Sequence, residues 1–150
     1  MSRGPSLTQI LDILVAGGHL HAGQKQDVLN RGKEQSRHLL LDRRAELRRL
    51  LGRQRVSYTI SDIELIASFR FRKDERAPSL DEELITEAVA KHEGYTFQRI
   101  DPLQLNFKLV VDTFGGPFAE KHMVIAIDDK ADALTVALCD PWNTDLLGSL

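Results

Sequence analysis

The sequence predicts an α+β fold, with a helical N-terminal region followed by a small α/β unit that closes on an antiparallel hairpin. Three observations carry this expectation. Leucine, isoleucine and valine recur at helical spacing in stretches of residues 7–51. A capped apolar helix with a glycine stop spans residues 79–94. Two apolar runs, residues 123–127 and 134–139, flank a single polar loop.

Leu7, Ile10, Leu11 and Leu14 share one helical face, and Gly17-Gly18 stops the run, so the first helix is expected over about residues 6–16. A second helical region starts near Ala22 and extends toward Leu51, with Gly32 able to divide it and Gly52 to end it. Residues 57–59 read as a connector. Ser61 is placed to cap a short helix bearing Ile63, Leu65, Ile66 and Phe69. The charged stretch 70–78, which ends in Pro78, reads as a solvated linker.

Ser79-Leu80-Asp81-Glu82 has the pattern of a capping box, in which hydroxyl and carboxylate each satisfy a free backbone N–H. Leu80, Leu84, Ile85 and Ala88 follow as an apolar face, and Gly94 supplies a left-handed stop. Tyr95-Thr96-Phe97-Gln98 alternates as a short strand would. After an Asp101-Pro102 turn, residues 105–114 have helical spacing until Gly115-Gly116-Pro117, and a last turn carries Phe118 and Ala119. The hairpin comes next, and Asp140-Pro141-Trp142-Asn143 begins a final helix that reaches Leu150. That ending suggests a piece of a longer chain. The expected division is a helical subdomain at 1–56, a short helix and linker at 57–78, and an α+β unit at 79–150.

Composition narrows the function. With 42% hydrophobic residues among 150, the chain can build a core. Twenty basic against twenty-two acidic residues leave a net charge of -2, unlike the basic excess of a dedicated nucleic-acid binder. Cys139 is the only cysteine, which excludes an internal disulfide and fits a reducing compartment. No apolar run reaches the roughly 20 residues of a membrane span, and the N-terminus lacks a signal-peptide pattern. A cytoplasmic protein is expected.

Catalytic machinery is not legible. A phosphate-binding loop needs an earlier glycine and Ser or Thr after its lysine, whereas Gly32-Lys33 precedes Glu34. No ATPase activity is expected of this chain, and no cofactor. His19-x-His21 offers two imidazoles where a structural zinc needs four ligands, so no metal is expected. Cys139 reads as a small buried hydrophobe. Asp128, Asp129 and Asp132 read as a solvated hairpin tip, since the glycine and terminal glutamate of a calcium loop are missing.

The feature most suggestive of a partner is the run Arg43, Arg44, Arg48, Arg49, Arg53 and Arg55. On a helix, Asp42, Glu46, Arg49 and Arg53 share one face and the leucines another. A solvated, partly ion-paired face, a site for an acidic protein, and a site for anionic lipid or nucleic acid all stay open. For a protein partner, Leu47 and Leu51 supply apolar anchors, Leu50 lies beside them, and Arg44, Arg48 and Arg49 supply the charge. The first helix adds Ile10, Ile13 and Val15 as further candidate apolar surface.

Residues 79–150 also carry an ordered series of short motifs. It runs Ala90-Lys91-His92-Glu93-Gly94-Tyr95, Ile100-Asp101-Pro102, Phe118-Ala119-Glu120-Lys121-His122-Met123-Val124, and Leu134-Thr135-Val136-Ala137-Leu138-Cys139-Asp140-Pro141-Trp142-Asn143. This series resembles the N-terminal domain of the type II secretion and type IV pilus assembly ATPases (the general secretory pathway protein E family), although Ala126 stands where a proline is usual. The resemblance implies a non-catalytic docking and regulatory domain, peripheral to the inner membrane through the cytoplasmic domain of a platform protein. It also implies an ATPase domain beyond Leu150. Residues 7–29 resemble the helix-turn-helix that precedes this domain in many members, some of which bind cyclic di-GMP. In those members an Arg-Leu-Gly start and a later glutamine make the contacts; here Gln9-Ile10-Leu11 and Gly32 stand there, so no micromolar binding is expected. A cyclic di-GMP sensor and a helical nucleic-acid-binding module are the alternatives to docking.

Overall fold

The structure is a computed structural model that describes residues 4–53 and 58–150. Arg55 of the basic run and Ser57 of the expected connector lie outside the described residues. Among those described, seven α-helices and a two-stranded antiparallel sheet give the α+β class expected from the sequence. The contacts divide the chain into two units, Pro5–Phe97 and a second that holds Gly4 and Gln98–Leu150.

In the first unit, α1 (Leu7–Ala16) opens on a reciprocal cap. The Ser6 hydroxyl accepts from the Gln9 N–H at 3.3 Å, and the Gln9 side chain accepts from the Ser6 N–H at 2.8 Å. α2 runs unbroken through Ala22–Leu51, about 45 Å at 1.5 Å per residue. Gly32, expected as a possible break, lies inside it and is buried. A Cβ there would meet Leu65 Cδ2 at 3.5 Å, so the glycine marks the close approach of α3 (Asp62–Ser68). Ser61 caps α3 as expected, accepting from the Glu64 N–H at 3.1 Å.

α4 (Glu82–Glu93) is capped by Asp81, not by Ser79. The Asp81 carboxylate accepts from the Leu84 N–H at 2.8 Å. Leu80, 4% exposed, is anchored instead by its N–H to the Phe71 carbonyl at 2.7 Å, which moves the helix start two residues on. Gly94, at φ 80, makes the expected left-handed stop, with the Tyr95 N–H donating back to the Ala90 carbonyl. Ile10, Leu11, Leu14, Leu20, Val28, Leu65, Ile66, Leu80, Ile85 and Val89 form the core of this unit. Each large side chain so buried contributes about 1.5–3 kcal/mol relative to exposure.

Residues 70–78 are not a detached linker: Phe71 stacks on Phe69 at 5.2 Å, and the Arg72 and Lys73 carbonyls face Gln24 and His21 at the start of α2. The contact division falls at 97/98, not at the expected 78/79, because Leu80, Ile85 and Val89 pack α4 into the N-terminal core. Residues 95–98 form no strand, since no neighbouring strand pairs with them. Ile10 is 4% exposed and Ile13 and Val15 are half-buried, so α1 spends these side chains on packing.

The second unit begins with a 3-10 turn at Pro102–Gln104, set by Asp101, and continues into α5 (Phe107–Thr113), capped by Asn106. α6 (Gly116–His122) ends at Met123 in the left-handed region and leads into β1 (Val124–Lys130). β1 pairs antiparallel with β2 (Ala133–Leu138), from Val124 opposite Leu138 to Lys130 opposite Ala133, with a bulge between Ala126 and Asp128. α5 packs on β1, and α7 (Thr144–Ser149) follows an Asn143 cap. Only Val124, Ala126 and Leu146 are buried in this unit among the described residues. Cys139, expected to be buried, is exposed: it follows Leu138, the last paired residue of β2, at the end of the hairpin where Met123 is exposed as well. Among the described residues no helix is long and apolar enough to cross a membrane.

Candidate functional site

α2 presents two stripes. The inner one is Val28, Gly32, Gln35, Leu39 and Arg43, spaced by three or four residues so that they face α3. Val28 is fully buried, Gly32 meets Leu65, and Gln35 donates to the Ser68 hydroxyl at 3.1 Å. Arg43 closes the series: its Nε donates to Glu64 Oε1 at 3.1 Å while an Nη donates to Glu46 at 3.1 Å. The stripe then outruns the unit, since its next apolar member, Leu50, is 66% exposed.

Glu64 is the one charged residue among the buried ones described, at 8% exposure. Besides Arg43 it accepts from the Tyr58 hydroxyl, at 2.7 and 2.9 Å to its two oxygens. Burial first, and then the hydrogen bond to Glu64, push the Tyr58 hydroxyl above its ordinary pKa. The Glu64 bond, followed by the Glu46 bond, raises the Arg43 guanidinium. Sequence reading grouped Arg43 with the solvated basic run and missed this clasp. The available signal was Glu64 itself, an acid set between Ile63 and Leu65-Ile66 on a helix bound for the core.

The clasp borders an open cleft of about 510 Å³ between α2, α3 and the start of α4. Its lining mixes Arg43 and Arg70 with Glu64, Asp81 and Glu82. No single ligand charge is favoured by that mixture.

The second stripe lies on the solvent side of the last four turns of α2. At about 100° per residue, Leu47, Leu51, Arg44 and Arg48 fall within an arc of about 100°. Arg37 and Leu40 fall inside the same arc and Leu41 at its edge, with no acid among them. Arg49 sits about 140° round the helix from Arg44, beside Asp42 and Glu46. Four of the five residues singled out from the sequence therefore share a face, and the fifth does not. Arg44, Arg48 and Arg49 are exposed, Leu41 is 63% and Leu51 42% exposed, and Leu47 is half-buried. Among the described residues none of the three arginines is in an ion pair; on this part of α2 the pairing belongs to Arg43.

The other residues tested for chemistry have structural places. Gln9 closes the α1 cap, Leu11 is fully buried, and Gly32 admits α3. His21 is the N-cap residue of α2 and faces the Lys73 carbonyl at 3.3 Å, while His19 lies beside Gly17. Among the described residues no three His, Cys, Asp or Glu side chains gather as a metal would require. No protein-family model, curated protein or solved structure matches the chain.

Proposed function

We propose that this chain is a non-catalytic docking and regulatory domain that tethers a secretion or pilus assembly ATPase to its inner-membrane platform. The motor would lie beyond Leu150, and attachment to the cytoplasmic side of the membrane would come through the partner. The observation that carries the docking reading is the acid-free strip of Arg37, Leu41, Arg44, Leu47, Arg48 and Leu51 on α2. Exposed Leu41 and Leu51 and half-buried Leu47, interleaved with arginines that make no ion pair among the described residues, fit an acidic partner surface with apolar pockets. The family half of the reading rests on the ordered motifs of residues 79–150.

The test is binding kinetics against the purified cytoplasmic domain of a secretion platform protein. Arg44→Glu with Arg48→Glu is expected to slow association and reverse its salt dependence, with the melting temperature nearly unchanged. Arg49→Glu, on the other side of the helix, is expected to change association far less. Equal kinetics for wild type and the double variant, both folded, would remove α2 from docking. A wild-type chain that binds no platform domain would remove the tether.

A further inference from the structure

The cleft between α2, α3 and the start of α4 lies wholly within the unit Pro5–Phe97, and its volume of about 510 Å³ falls in the range of small-molecule sites. Part of the charge on its wall is already committed: Arg43 and Glu64 hold each other, and Asp81 caps α4. Arg70 and Glu82 are different. Both line the cleft, and among the described residues neither side chain makes an ion pair or hydrogen bond, with the other or with any third group. Ser79, replaced by Asp81 as the cap, brings a hydroxyl that likewise makes no hydrogen bond among the described residues. Leu39, Ala67 and Leu80 add apolar surface to the same lining. Arg70 also stands where its backbone disfavours it. It follows the Phe69 C-cap of α3 in the left-handed region, at φ 51, a place that glycine fills without steric cost. An arginine there is less stable than a glycine, and the side chain kept at that cost is one that lines the cleft.

We propose that the cleft binds a free α-amino acid with an apolar side chain. Arg70 takes the carboxylate, with the Ser79 hydroxyl as a further donor, and Glu82 takes the ammonium. Leu39, Ala67 and Leu80 receive the side chain. The mixed charge of the lining selects this class. A simple anion meets the repulsion of Glu82, and a simple cation meets that of Arg70. A small zwitterion satisfies both, because its two charges reach the two groups that the protein leaves apart. The site uses none of the residues of the docking strip on α2, so it stands or falls independently of the docking reading.

The experiment is isothermal titration calorimetry of the full chain with L-leucine and L-phenylalanine. Each is run beside its N-acetyl and its amide derivative, which delete the ammonium and the carboxylate charge respectively. At least one of the two amino acids is expected to bind with a dissociation constant of about 1 mM or tighter, and each blocked form at least about tenfold more weakly. Arg70→Gly should bind the free amino acid no better than its amide, while its melting temperature rises because glycine suits that backbone. Glu82→Gln should in turn bind the free amino acid no better than its N-acetyl form. These two losses of discrimination assign one ligand charge to each residue, which a merely structural role would not do. Failure of both amino acids to bind wild type, blocked forms that bind as well as the free ones, or a folded Arg70→Gly chain that binds like wild type would overturn the proposal.

Discussion

Arg43→Met and Tyr58→Phe, made singly and together, measure how the buried Glu64 carboxylate is held. Methionine keeps most of the arginine's apolar stem and deletes its charge. A hydrogen bond to a charged group contributes about 1.5–3 kcal/mol, and Tyr58 is half-buried, so Tyr58→Phe should cost about 1–2 kcal/mol. Arg43 has a side chain 42% exposed, and solvent screening holds its single loss to about 1 kcal/mol. In either single variant Glu64 keeps one partner. In the double variant it keeps neither, and an uncompensated buried charge costs about 3–5 kcal/mol. The single losses sum to about 2–3 kcal/mol, so at the middle of these ranges the double loss exceeds that sum by about 1.5 kcal/mol. Urea unfolding at neutral pH reads all four corners of the cycle. Additivity within about 0.5 kcal/mol would refute the reasoning, because it would mean that water already solvates Glu64.

The clasp also predicts an alkaline response. Tyr58 is held above its ordinary value of 10.0, so its stabilisation is complete below that pH and is lost as pH rises through the higher folded value. The stability gap between wild type and Tyr58→Phe should then hold to about pH 9 and narrow as pH rises above about 10, and a constant gap would count against it. At the start of α4, Asp81→Ala should cost about 1 kcal/mol of stability, whereas Ser79→Ala should be near neutral; thermal melts of the two variants decide which residue is the cap. Gly32→Ala should raise stability by about 0.5–1 kcal/mol, since the added methyl meets Leu65 at an ordinary contact distance; a lower melting temperature would show that α3 cannot yield.

What the sequence revealed was the part decided by near neighbours. The Ser61 cap, the Gly94 stop and the alternation of polar and apolar runs in the hairpin depend on residues a few positions apart, and the structure follows them. What stayed hidden depended on distant partners. Residues 95–98 have strand-like alternation, but a strand exists only when another pairs with it. Ser79 loses the cap to Asp81 because Leu80 is drawn to Phe71, nine positions back. Cys139 follows an apolar run, yet it lies one residue past the last pair of the hairpin, Val124 with Leu138, and is exposed there. In the candidate site, helical periodicity alone brings Arg44, Leu47, Arg48 and Leu51 to one face and excludes Arg49. Separating Arg43 from the basic run required Glu64, twenty-one residues away.

α2 has one further mechanical consequence. From Val28 to Arg43 its inner stripe is held by α3, and the eight residues beyond Arg43 continue as the same rigid rod for about 12 Å. It behaves as a cantilever whose fixed end is the Arg43–Glu64 bond. A sideways load applied near Leu51 bends little helix and instead levers on that bond, the last fastening before the free end. Strain imposed on the exposed tip is thus delivered first to a buried carboxylate and the tyrosine that shares it, at the wall of the cleft between α2, α3 and α4.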